Sequence, residues 1–131
     1  MTMTKQWYQE QGYKMSSQIE QTEIDRAERD VTAAYIVPIV GGATISASVR
    51  QNAIAELAFL LLLQRSIFAT RAGAKTKTGY NSQDAGEWAL LAQCAHSAHA
   101  ALQAVRVEAQ NMDAEVTDLC KIYFKSNFIS L

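Results

Sequence analysis

The residues with the richest chemistry lie in the second half of the chain. Cys94, His96 and His99 fall close together, and Cys120 follows. Thiolates and imidazoles are zinc ligands, so a structural zinc site is the first chemistry to consider. The spacing argues against it. Residues in a helix turn by about 100° each, so Cys94 and His96 point about 160° apart and cannot converge on one ion. His96 and His99 can supply two ligands, and no local carboxylate cluster completes a set of four. His99 reads instead as a hydrogen-bonded packing residue. Cys94 and Cys120 read as buried free thiols of a reducing compartment. No metal and no cofactor are expected.

The carboxylates give the second set of candidates. Glu10, Glu20, Glu23, Asp25, Glu28 and Asp30 fall on charged helix faces. Asp25 with Arg29, and Arg26 with Asp30, are spaced as ion pairs along a helix. Glu56 is the one acid inside a strongly apolar helix. A raised pKa there would mark a site; its structural reading is a carboxylate paired with Arg50 or with an arginine of the first long helix. No serine sits in a nucleophile elbow. Gly41 and Gly42 lack the following Lys and Ser or Thr of a phosphate loop. The sequence therefore reads as non-enzymatic, with no catalytic residue.

The element that must organise these side chains spans residues 46–69. Leu57 to Leu63 are seven consecutive apolar residues, covering every side of two helical turns. Arg50, Glu56, Gln64 and Arg65 bracket the run too closely for a membrane span, which needs roughly 18 apolar residues. This is a core helix, surrounded by other helices or facing another subunit. Leu57, Leu60 and Leu61 are assigned to the core. Thr44, Ser46 or Ser48 can cap it.

With 131 residues, the chain is long enough for one domain and one core. Twelve basic against 13 acidic side chains give a net charge of −1, which argues against wholesale wrapping of nucleic acid or binding to an anionic membrane. One proline and six glycines leave room for long helices. Residues 1–14 lack the apolar core of a signal peptide. The fold class is all-α: a small helical bundle with three long helices, short terminal segments and a protruding loop, in a single domain over residues 1–131.

At the amino end, Thr4 can cap a short helix over residues 5–11, which Gly12 can stop. Trp7, Tyr8 and Tyr13 make this piece aromatic. Two readings are open: an arm folded onto its own bundle, or an arm whose rings contact a neighbouring subunit. The first long helix is placed at 17–37, opened by a Ser17–Glu20 capping box and ended or bent by Pro38. Residues 70–84 are the longest polar segment, with Arg71, Lys75 and Lys77. A loop of this length has a role or is a solvated connector. Its candidate partner-binding residues are Arg71, Gly73, Lys75, Thr76, Lys77, Thr78, Gly79 and Tyr80. Helix three follows, starting near Ser82 or Asp84 and running to about residue 111, with Trp88, Leu91, Ala95, Ala98, Leu102, Val105, Ala109 and Met112 in one apolar stripe. Of these, Trp88, Leu91, Leu102 and Val105 are assigned to the core. A weaker fourth helix is placed at 114–123. The tail carries Phe124 and Phe128, which pack back on the core or contact another subunit.

The order of these features resembles the head–tail connector, or adaptor, proteins of tailed bacteriophages. Trp7 and Tyr8 match the family's aromatic opening segment. Ala27, Val31 and Tyr35 match its first long helix, residues 57–63 its central helix, and residues 71–83 its protruding loop. The resemblance implies a structural virion protein of the neck, assembled in the host cytoplasm as a homo-oligomeric ring, commonly of about twelve subunits. It implies contact with the portal protein and with a downstream neck or tail protein. DNA would pass nearby without specific recognition, and no membrane is involved. The alternative is a small helical protein-binding or regulatory module without catalytic activity.

The loop expectation is open to a direct test. Replacing residues 73–79 by a short Gly-Ser link is expected to preserve helicity and thermal unfolding while abolishing binding to the portal or to a neighbouring ring. Normal assembly of that variant would make the segment a connector only.

Overall fold

The computed structural model describes the backbone of residues 3–73 and 82–111, with residues 114, 116 and 119, and the side chains of these except 66–73 and 82–88. The fold is all-α, and no strand occurs among the described residues. None of the described helices is long and apolar enough to cross a membrane.

The chain begins with α1, Lys5–Glu10. Thr4 caps it by accepting the Trp7 amide at 3.0 Å, which satisfies one of the first-turn donors. Gly12, at φ +97, turns the chain out of the helix. Next comes α2, Gln21–Val31. The Ser17–Glu20 capping box does not form: Ser17 lies in a turn, and Glu20 stands at the cap position without a side-chain bond. The amino arm secures this end instead. Gln21 accepts the Lys5 amide at 2.8 Å and donates to the Met3 carbonyl at 3.0 Å.

The first long helix also runs further than expected. A π-helical turn, Thr32–Ile36, leads directly into α3, Val37–Val40. Pro38 has no N–H to donate to the carbonyl four residues back, and its ring crowds that position. Widening the preceding turn relieves both problems: the Val37 amide donates to the Thr32 carbonyl, five residues back. Thr32 Oγ1 donates to the Glu28 carbonyl at 2.6 Å, a back-bond that bends helices. The proline therefore marks a swollen turn. Gly41, at φ +58, ends the helix one turn later.

The central helix is α4, Ala47–Gly73. Ser46 caps it: its Oγ accepts the Val49 amide at 3.4 Å, and its own amide donates to Glu108 at 2.7 Å. The helix extends past the expected end at residue 69, so Arg71 and Gly73, assigned to the loop, have helical backbone. Nothing in Thr-Arg-Ala breaks a helix; polarity alone suggested a loop there. The last helix is α5, Ser82–Glu108. Residues 74–81 lie outside the described residues, as does the expected fourth helix apart from Ala114, Val116 and Leu119.

The core sits between α4 and α5, with α2 packed on another side of α4. From α5, the expected stripe supplies Leu91, Ala95, Ala98, Leu102 and Val105, all buried. From α4 come Ala53, Ile54, Leu57, Ala58, Leu60 and Leu62. Alanines on both helices let the backbones approach closely. Leu61, assigned to the core, is only partly buried and packs at its edge, because a cylinder of this length is not covered equally all round. Leu57→Ala is expected to lower the unfolding free energy by ~2–5 kcal/mol in urea titration, the range for cavity-forming core truncations. Val107→Ala, at a residue 60% exposed, is expected to stay within about 0.5 kcal/mol.

Candidate functional site

Two constructions stand out, and the first determines what the second has left to offer. The first is the docking of the amino arm. Trp7, Tyr8, Tyr13 and Phe59 form a run of rings, with centroid separations of 5.1, 5.5 and 5.0 Å. Tyr8 is completely buried in its own chain. Of the two readings of the arm, the structure shows the one folded onto its bundle. Tyr8 therefore packs within its own chain, while Trp7 and Tyr13 keep partial exposure.

Beneath the arm lies Glu28, only 3% exposed. The sequence placed it on a charged face, yet it is the buried carboxylate among the described residues. It accepts the Tyr8 hydroxyl at 2.7 Å and the Met3 amide at 3.2 and 3.3 Å. Burial pushes its carboxyl above the usual value, while the Tyr8 hydroxyl and the Met3 amide hold it down. Tyr8 is pushed far above the ordinary phenol value, first by burial and then by the bond to Glu28. Glu56, partly buried on α4, also holds the arm. Its partner is the Tyr13 hydroxyl at 2.9 Å, in place of Arg50 or an arginine of the first long helix. Tyr13 is raised by burial and by that bond. Both carboxylates thus hold the arm down.

The second construction follows from this use of the acids. Asp25 accepts from Gln21 at 2.8 Å, and Asp30 faces Arg65 at 3.6 Å. The ion pairs expected within α2 are not made. Among the described residues, Arg29 and Arg50, which spacing offers to Asp25 and Glu56, have no hydrogen-bond or ion-pair partner. Both line a groove of about 610 Å³ between α2 and the first turns of α4. Its apolar lining includes Ala33, Val37, Ala47 and Ile54. Val37 is 53% exposed, high for a large apolar residue. Spacing offers both arginines a neighbouring acid, and Arg29 reads as part of a solvated face that could also contact a partner's acids; the groove itself needs α2 packed on α4 and is not legible from spacing. One wall alone leaves a local signal, the series Asp25, Arg29, Ala33, Val37, which puts charge, small and apolar residues on one ridge at steps of four.

The other expected residues fall elsewhere. Lys75, Thr76, Lys77, Thr78, Gly79, Tyr80, Phe124 and Phe128 lie outside the described residues, as do the side chains of Arg71 and Trp88. Cys94 is a half-buried free thiol, raised by burial and then by the charge of Glu56, which makes it a poor nucleophile. His99 lies 3.3 Å from the Gln103 amide. Among the described residues, no group of three or more His, Cys, Asp or Glu is placed to hold a metal ion.

The arm lock has a pH signature. The buried Tyr8 hydroxyl keeps its proton beyond the ordinary value of 10.0, so above that pH the native state binds more protons than the unfolded chain. This contribution is intact below pH 10.0 and is lost as pH rises, by about 1.4 kcal/mol per pH unit for a group fully protonated in the native state. Tyr8→Phe is expected to cost ~1.5–3 kcal/mol at pH 7, the range for a bond to a charged group, and to flatten the alkaline limb of a stability–pH curve. An unchanged limb would remove Tyr8 from that role.

No protein-family model matches this chain, and neither does a curated protein or a solved structure.

Proposed function

We propose that this chain is a small helical protein-binding module that works in assembly rather than catalysis, and that the α2–α4 groove is its binding surface. The observation that carries the reading is the pair of arginines that have no partner among the described residues and stand beside an apolar groove. Exposed Val37, with small residues at Ala33 and Ala47, suits contact with another macromolecule. The carboxylates at hand, Glu28 and Glu56, are engaged in fixing the arm.

The head–tail connector is the narrower form of this proposal. It rests on the order of elements: a short aromatic segment, a charged helix, a strongly apolar helix and a second long helix. In that form the partners are the portal, a neighbouring subunit of the ring and the next neck protein, and the 70–84 segment is a second contact.

The test is to titrate the chain with purified proteins encoded beside its own gene, a portal protein first, by calorimetry. Val37→Asp, with Ala47→Glu as an independent second variant, is expected to weaken the complex at least tenfold while leaving the circular dichroism spectrum unchanged. Equal binding by both variants would move the interface away from the groove.

A further inference from the structure

We infer that the occupant of the α2–α4 groove is an acidic amphipathic helix of a partner protein, gripped through carboxylates by Arg29 and Arg50. This rests on the protein-binding reading and adds the chemistry of the partner.

The shape points to a helix. The walls are helix ridges: Asp25, Arg29, Ala33 and Val37 on one side, Ala47, Arg50 or Gln51 and Ile54 on the other. Side chains of a third helix fit between such ridges, with axes about 8–10 Å apart where the facing residues are small. Ala33 and Ala47 are small enough for that approach. The wall from Asp25 to Val37 runs about 18 Å at 1.5 Å per residue, enough for three turns of an occupant. No strand edge occurs among the described residues to receive an extended peptide, so a helix in a groove is the recognition mode this surface offers.

The charge points to an acid. The groove carries carboxylates as well as guanidiniums, but they are not equivalent. Glu28 is buried and bonded to Tyr8 and Met3, and Asp25 is bonded to Gln21. The guanidiniums have no partner among the described residues. Arginine presents a planar fork that binds a carboxylate through two parallel bonds. The two stand on opposite walls, so one helix with acids flanking its apolar stripe meets both. A neutral helix would leave two cations at the rim of a closed apolar contact, and a basic helix would meet repulsion.

The probe is a displayed library of 16-residue peptides with apolar residues fixed at helical spacing. The flanking positions are randomised among Asp, Glu, Lys, Arg, Gln and Ser. Selection uses the full chain, followed by anisotropy with the enriched peptides. The expected result is enrichment of Asp and Glu beside the apolar stripe, with amide shift changes at Ala33, Val37 and Ile54. Arg50→Glu and Arg29→Glu are each expected to weaken binding at least tenfold, and to select Lys or Arg in a repeated experiment. Neither arginine has a partner to lose among the described residues, and circular dichroism checks that both variants fold. Groove binders without acid enrichment would overturn the acidic partner and leave the binding module standing. Absence of any groove binder would overturn both. Tighter binding of dodecanoate than of any peptide would replace the helix with a small amphiphile. Self-association lost in Arg50→Glu would replace it with a second copy of the chain.

Discussion

A helix that is apolar on every side must be covered on every side, and the rest of this molecule follows from that demand of α4. Between Leu57 and Leu63 there is no polar face to turn toward water. One side is taken by α5 and another by α2. The side carrying Glu56, Phe59 and Leu63 would remain open, and there the amino arm lies down, with Tyr13 against Phe59 and its hydroxyl on Glu56. Burying apolar surface yields roughly 25 cal/mol per Å². A six-residue α1 has little helical stability of its own, so this contact and the bonds to Glu28 are what make the arm a fixed part of the fold.

The acids show how a tertiary demand can redirect local pairing. By spacing alone, Asp25 belongs with Arg29, Arg26 with Asp30, and Glu56 with Arg50. Surface pairs of that kind contribute only about 0–1 kcal/mol, so modest competition displaces them. Tyrosine hydroxyls delivered by the arm take Glu28 and Glu56, and the Gln21 amide, one turn back in α2 and itself bonded to the arm at Met3 and Lys5, takes Asp25. The displaced arginines are left beside the groove. In this fold the structural lock and the candidate recognition surface are two results of one rearrangement.

Much of the architecture could be read from residue pattern. The all-α class, the capped α1 with its Gly12 stop, the start of α5 and its apolar stripe are local features. Periodicity and capping chemistry act within a few residues, so they survive in the sequence. The π-helical turn did not, because Pro38 has two local solutions, an end or a widened turn, and only packing of Ile36, Ile39 and Val40 into the core decides between them. Glu28 was illegible for the same reason. It looks like its charged neighbours until Tyr8 and Met3 arrive from 20 and 25 residues away. The candidate groove depends on those distant choices as well, which is why it had to be found in three dimensions.

The central claim is that the arm, anchored on Glu28, is the missing cover of α4. Native-state hydrogen exchange on Glu28→Ala tests it most directly. The account predicts that α1 and the α4 amides around Glu56 and Phe59 lose protection together, at least about tenfold beyond any change around Leu102 in α5. Loss of protection in α1 alone, with α4 exchanging as before, would contradict it.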